Sequence, residues 1–155
     1  MATIASLLNH HELSSERVGR YFRQVSFPRR SSELVCVGKL DVGRINSLLH
    51  MNFREGRVYI HDGIIDHIIS HHSGIYDIYR DGLDKLVEFP CMVGKNPLES
   101  DSIELYDEST HILMGIKKDR HRGYLFCASM YILDDWDRKI RERLASGRIR
   151  RYMKG

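Results

Sequence analysis

Apolar and polar residues alternate along the second half of the chain with the period of two that a half-buried β-strand shows. In segment 111–117, Ile112, Met114 and Ile116 fall on one side and the residues between them on the other. Segments 102–106 and 123–133 are predicted strands of the same kind, with a hairpin turn over 120–123 between the last two. Two shorter strands are predicted at 34–38 and 58–60.

A spacing near 3.6 residues predicts helices elsewhere. Segment 2–25 is predicted to be helical, and Asp41 and Asp62 stand where they would cap helices over 41–49 and 63–72. A helical stretch follows over 83–89, and a basic helix over 137–145 is predicted to end at Gly147. Helices first and a strand meander later predict an α+β fold with a mostly antiparallel sheet.

Composition fits one domain with a core of its own. Hydrophobic residues make up 42% of the 155 positions, and no apolar run approaches the roughly 20 residues that span a bilayer. The three cysteines are far apart and odd in number, which argues against a disulfide framework and favours a reducing compartment. The start shows no signal-peptide pattern. We therefore expect a cytoplasmic protein without a membrane partner, with association to a virion as an alternative.

Charge is unevenly distributed although the formal net charge is only +3. Segment 138–155 has eight basic residues and one acid, whereas 76–110 has nine acids and three bases. A basic end with an acidic middle predicts a polyanion, RNA, approaching from one side. The alternative is a merely solvated helix end. The nucleic-acid-binding candidates are Arg141, Arg148, Arg150 and Arg151.

The predicted helix over 63–72 contains the most informative side chains. His67 and His71 lie one turn apart, on the border of a face formed by isoleucines, where an imidazole can transfer protons near neutral pH. The alternative is that both are ordinary edge residues, and His72 is a rival for either role. A His-x3-His pair also suits zinc, but Ile68 replaces the glutamate of the metalloprotease motif and no third ligand stands nearby. We therefore predict neither metal nor cofactor.

Two strand residues complete the candidate site. Simple alternation places Ser129 and Tyr131 on one side of the last strand, where they could join Lys117 of the preceding strand beside the histidine helix. A lysine would neutralise a phosphate, and a hydroxyl would hold a phosphate oxygen. The alternative is an exposed lysine at a strand end and a serine in the core.

The order of these motifs resembles the phage barnase–EndoU–colicin–RelE-like nuclease domains. The resemblance covers about 33–151, so we predict a nuclease domain over 33–155 and a helical extension over 1–32. The matching motifs are Val-Gly-Lys-Leu (37–40), Val-Tyr-Ile-His-Asp-Gly (58–63), Asp-His-Ile-Ile-Ser-His-His (66–72), Gly-Lys-Asn-Pro (94–97), Ser-Ile-Glu-Leu (102–105), 112–117, 123–131 and the basic end 139–148.

The resemblance implies helices packed on a four-stranded antiparallel sheet and RNA cleavage without a metal ion. In that reaction the ribose 2′-OH attacks the adjacent phosphate and leaves a 2′,3′-cyclic phosphate. The positions that match the family pattern are His67 and His71 on the helix and Lys117 and Ser129 on the strands. This chain departs from the family pattern at Ser70, where many such domains have a basic residue.

Two other functions remain open, because the fold also has members without activity. One is a noncatalytic nucleic-acid-binding or phage accessory protein, in which N-terminal arginines and the basic tail contact phosphates. The other is a structural or host-interaction protein. An inhibitor or a host protein is a further candidate partner.

Overall fold

One eight-stranded sheet forms the centre of the protein in a computed structural model that describes the backbone of residues 23–26 and 33 and all of 34–61 and 83–152. The strand order across the sheet is β1-β2-β3-β7-β6-β5-β4-β8. The strands are β1 (Arg23–Ser26), β2 (Glu33–Lys39), β3 (Arg57–His61), β4 (Met92–Lys95), β5 (Ser102–Asp107), β6 (Ile112–Lys118), β7 (Leu125–Ile132) and β8 (Ile149–Arg151). The described helices are α1 (Val42–Leu49), α2 (Leu83–Glu88) and α3 (Trp136–Ser146).

The sheet is mixed, and its antiparallel character was predicted correctly. Six of the seven neighbouring pairs are antiparallel, and only β3 and β7 run parallel. The expected four-stranded sheet was wrong: β1, β4 and β8 were not predicted. They have four, four and three residues, too few to show a period of two, and they form by pairing with a longer neighbour.

The first face of the sheet packs against α1 and α2. Asp41 caps α1, as predicted, because its carboxylate accepts a hydrogen bond from the Arg44 N–H at 3.1 Å. Ile45 and Leu49 then point into the core together with three residues of α2. The core on this face consists mainly of Val35, Val37, Val58, Ile60, Val93, Ile103, Leu105, Ile112, Met114, Ile116, Leu125, Cys127 and Met130.

The second face packs against α3 over only part of its area. Trp136 and Ile140 of α3 lie in a smaller cluster with Tyr106 and Leu113. The helix ends at Gly147, as predicted, in a left-handed conformation with φ 83° that glycine adopts without strain. The chain then returns to the sheet as β8, so the predicted basic tail is partly an edge strand.

The N-terminal part of the described chain differs from the sequence prediction. Residues 23–25 were expected to end a helix, but they belong to β1, which pairs with β2. The rest of that predicted helix and the helix over 63–72 lie outside the described residues. Where the structure is described, no helix is both long and apolar enough to span a bilayer. The three cysteines are unpaired.

Six central strands share one end of the sheet, here called the loop end. Strands β2, β4 and β6 finish there, and β3, β5 and β7 begin there, because Lys39 lies opposite Arg57, Lys95 opposite Ile103, and Lys118 opposite Leu125. The connections 50–56, 96–101 and 119–124 consequently meet at this end.

Candidate nucleic-acid interface

A β-bulge brings Ser129 onto the face that Lys117 occupies. Ser129 lies opposite Gly115, but the next pair joins Cys127 to Ile116, so Ala128 is an extra residue in β7. Simple alternation would place Ser129 with Leu125 and Cys127, which are buried on the first face. The bulge instead turns Ser129 to the second face, where Lys117 lies opposite Phe126.

Gly115 makes room for the Ser129 hydroxyl. A Cβ atom added at Gly115 would lie 2.6 Å from the Ser129 Oγ, much closer than two such atoms approach. Ser129 is itself exposed. The hydroxyl therefore rests over the bare backbone of β6 with one side open to a ligand.

Lys117 is held at the loop end by an ion pair. Its Nζ lies 2.6 Å from the Glu99 Oε2, and the two side chains are 40% and 42% exposed. Glu99 belongs to the loop 96–101, which Asn96 stabilises by accepting a hydrogen bond from the Leu98 N–H at 2.9 Å. A phosphate that binds Lys117 must compete with this carboxylate, which water already screens.

Aromatic rings extend this surface across β3 and β7. The Tyr59 and Tyr124 rings meet edge to face at 5.8 Å, and the His61 and Phe126 rings do so at 6.1 Å. Tyr59 lies beside Phe126 in the parallel pairing, and all four side chains are partly exposed. Rings on a sheet face next to a lysine and a hydroxyl are a surface on which nucleic-acid bases can stack.

Sequence reasoning missed a buried polar network on the same face. The Glu104 carboxylate is 5% exposed and accepts two hydrogen bonds from Arg148, from Nε at 3.2 Å and from Nη2 at 2.6 Å. It also accepts a hydrogen bond from the Tyr106 hydroxyl at 2.8 Å, and Arg143 donates to that hydroxyl at 2.9 Å. Burial, followed by the Glu104 charge, raises the pKa of Tyr106 well above its usual range.

A signal for this network was present in the sequence. Glu104 stands between Ile103 and Leu105 inside a predicted strand, and a carboxylate there is almost never buried without a partner. Its partner is 44 positions away, so only the packing of α3 and β8 reveals it. The pair locks β8 and the end of α3 onto β5.

The four arginines predicted to bind nucleic acid separate into one that is paired and three that are exposed. Arg148 is held by Glu104, whereas Arg141, Arg150 and Arg151 are exposed and have no ion pair within the described part of the chain. Arg141 lies on α3. Arg150 and Arg151 are neighbours on the edge strand β8 and point to opposite faces, because they lie opposite Val93 and Met92.

The predicted histidines His67 and His71 lie outside the described residues. Strand β3 ends at His61, six positions before the first of them. Over the ranges 34–61 and 83–152, no three His, Cys, Asp or Glu side chains form a group that could hold a metal ion. Of the four proposed catalytic residues, the structure thus places two, and it places them on one face.

These features define an α+β domain with a mixed sheet and a polar, aromatic face that suits a nucleic acid. A family model for the phage-Barnase-EndoU-ColicinE5/D-RelE like nuclease3 matches residues 36–141, well over half of the 155 residues. The chain belongs to this nuclease family, which confirms the resemblance seen in the sequence. Searches of curated proteins and of solved structures found no match. The matched range contains Lys117 and Ser129 but not β8.

Proposed function

We propose that the protein is an endoribonuclease that cleaves RNA without a metal ion. The observation that carries this proposal is the common placement of Lys117 and Ser129, beside a row of aromatic rings, in a chain of a nuclease family. Stacking on rings suits unpaired bases, which favours single-stranded RNA as the substrate. The choice of RNA and of the metal-free reaction rests on the family resemblance.

The proposed reaction is an internal phosphoryl transfer. A base removes the proton of the ribose 2′-OH, whose oxygen attacks the adjacent phosphorus. The bond from phosphorus to the 5′-oxygen breaks, and an acid protonates that oxygen as it leaves. The products are a 2′,3′-cyclic phosphate and a 5′-OH, with no net gain or loss of protons.

We assign the two proton transfers to His67 and His71, one as base and the other as acid. Imidazoles titrate near neutral pH and can serve both roles. Strand β3, which precedes these histidines in the sequence, contributes Tyr59 and His61 to the aromatic row. In this proposal, the site combines β3 and the histidines that follow it in the sequence with Lys117 of β6 and Ser129 of β7.

Lys117 and Ser129 are assigned to the phosphate. The phosphorane intermediate gathers negative charge on its equatorial oxygens, and a fixed ammonium group offsets that charge. The Ser129 hydroxyl donates a hydrogen bond to one of these oxygens, a contact that the open position over Gly115 allows. Arg141, Arg150 and Arg151 are proposed to bind phosphates of the same RNA outside the reacting centre.

The test is cleavage of labelled RNA in excess chelator. Wild type should give 2′,3′-cyclic phosphate ends, and RNA with a single 2′-deoxyribose at the cleaved position should resist. His67→Ala and His71→Ala should each lower the rate by about 10²–10⁴-fold while keeping the wild-type circular dichroism spectrum. Lys85→Ala is the matched control, because Lys85 is exposed on α2, and it should cleave at the wild-type rate.

Two results would refute the proposal in different ways. Cleavage by both folded histidine variants at the wild-type rate would place the chemistry elsewhere. RNA binding by wild type without any cleavage would favour the noncatalytic alternative.

A further inference from the structure

A groove at the loop end, on the first face of the sheet, is distinct from the Lys117–Ser129 surface. It consists of two adjoining depressions of about 570 and 300 Å³ that share Asn52, Phe53 and Lys118. The loop 50–56 forms one wall. Lys95 and Asp101 also line the larger depression.

The groove is positively charged. Its lining includes the basic side chains Arg54, Lys95, Lys118 and Arg120 and the acidic side chains Glu55 and Asp101, a formal net charge of +2. Arg120 lies 3.4 Å from Asp101, but the two side chains are 84% and 46% exposed, so water screens this pair.

Three of these cations have no counter-ion among the residues that the structure describes. Arg54, Lys95 and Lys118 come from three different elements, and none forms an ion pair with any described residue. Isolated surface lysines are ordinary, but cations that converge on a concave wall repel one another unless an anion neutralises them. The groove therefore suits a polyanion.

The walls are held before any ligand arrives. Asn46 of α1 makes two hydrogen bonds to the Phe53 backbone, both at 2.9 Å. Its Nδ2 donates to the Phe53 carbonyl, and its Oδ1 accepts from the Phe53 N–H. In the connection 119–124, which contributes Arg120 and Gly123 to the lining, Asp119 accepts hydrogen bonds from the Arg122 and His121 N–H groups at 2.7 and 2.9 Å. A preformed groove loses little conformational entropy on binding.

The lining points to a phosphate backbone rather than to bases. It contains two rings: Phe53 is 5% exposed and belongs to the core, which leaves the exposed imidazole of His50 as the one ring that a base could contact. The groove thus lacks the row of rings that lies across β3 and β7. Cationic side chains that contact phosphates bind nucleic acid largely independently of sequence.

Strand alternation connects this groove to the proposed active face. The consecutive residues Lys117 and Lys118 end β6 and point to opposite faces of the sheet. The loop that separates the two surfaces presents Glu99 to Lys117, while Ser100 and Asp101 line the groove. One strand of RNA can therefore pass from the groove, around the loop end, to Lys117.

We propose that this groove binds the phosphate backbone of the single-stranded RNA that flanks the cleaved bond. The proposal rests on the ribonuclease function for the identity of the ligand, but its binding test does not depend on cleavage.

The test measures binding of a 2′-O-methyl RNA of about 12 nucleotides, a length within the range that single-strand-binding grooves contact. Because its 2′-oxygens are blocked, this probe cannot be cleaved by the proposed reaction. Lys118→Glu and Lys95→Glu should each weaken binding about tenfold. Each should also reduce the slope of log affinity against log salt by about 0.7, the value for one lost phosphate contact on a single strand.

Lys85→Glu is the matched control, since it changes the net charge equally on an exposed residue of α2. Groove variants that bind like Lys85→Glu would overturn the groove proposal, with thermal unfolding used to confirm that each variant is folded. If wild type binds the probe through the groove but never cleaves ordinary RNA, the ribonuclease proposal fails and the groove stands. If wild type cleaves RNA and the groove variants bind the probe normally, the groove proposal fails and the ribonuclease proposal stands.

Discussion

Replacing Arg148 by methionine should destabilise the protein rather than weaken its contact with RNA. The sequence predicts that Arg148, in the basic end, binds RNA phosphates, yet its guanidinium makes two hydrogen bonds to the buried Glu104 carboxylate. Methionine keeps much of the aliphatic stem and removes the charge. Glu104 would then be buried with Tyr106 as its remaining hydrogen-bond donor among the described contacts.

The expected magnitude follows from the burial of the pair. Removing one partner of a buried ion pair costs about 3–5 kcal/mol, because the other charge is left uncompensated. The Glu104 side chain is 6% exposed but that of Arg148 is 26% exposed, so water reaches one side of the pair. We therefore expect a loss of about 2–4 kcal/mol, which lowers the Tm by roughly 5–15 °C for a domain of this size.

The assay is thermal and urea unfolding of four proteins: wild type, Arg148→Met, Glu104→Gln and the double variant. Glu104→Gln removes the buried charge, so the double variant should be less destabilised than the sum of the single variants by about 1–3 kcal/mol. Arg150→Met is the control. It alters an exposed arginine two positions further along the chain, on β8, and should change stability by less than about 0.5 kcal/mol.

Equal Tm values for Arg148→Met and Arg150→Met, or strict additivity in the double variant, would refute this account of the pair. Measurements of RNA binding should rank the two variants in the opposite order. Arg150→Met should reduce the salt slope of RNA binding by about 0.7, and folded Arg148→Met should leave that slope unchanged.

Three further outcomes follow from the same surfaces. Gly115→Ala should force the Ser129 hydroxyl to rotate and lower cleavage by about 10–100-fold, as Ser129→Ala should, with no further loss in the double variant and little change in Tm. Glu99→Gln should raise RNA affinity by up to about fivefold, measured by anisotropy, and Lys117→Ala should abolish that gain. Backbone hydrogen bonds, chiefly from Arg122, lower the pKa of Asp119. A carboxyl group whose pKa is lowered in the folded state stabilises the protein at pH values above its unfolded pKa of about 3.9. That stabilisation is lost as the pH falls through the folded pKa, so the stability difference between wild type and Asp119→Ala should shrink in acid. A difference that is constant with pH would contradict this.

The long strands and the described helices were predictable because their signals are local. The predicted strand 111–117 differs by one residue at each end from β6, and the predicted cap at Asp41 and stop at Gly147 both occur. Alternation over seven residues and a capping carboxylate depend on neighbours in the sequence. Strands β1, β4 and β8 depend on a partner strand, and no local pattern marks them.

The site was predictable in composition but not in geometry. The sequence nominated Lys117 and Ser129, and the structure places them on one face. Simple alternation does not explain this common placement, because the extra residue in β7 turns the Ser129 side chain to the other face. The roles of His67 and His71 stay predictions.

By itself, the sequence determined the α+β class, the family and the residue types that phosphate chemistry needs, because periodicity, caps and motif order are properties of the chain alone. Tertiary structure decided which cations are available to a ligand. Arg148 and Arg150 are two positions apart and identical in charge, but one faces a buried carboxylate and the other faces water. Lys117 and Lys118 are adjacent, but the pleat of β6 sends them to opposite faces. The interaction energy of a charged side chain depends on the charges and the water around it, and folding determines both by bringing together residues that are distant in sequence.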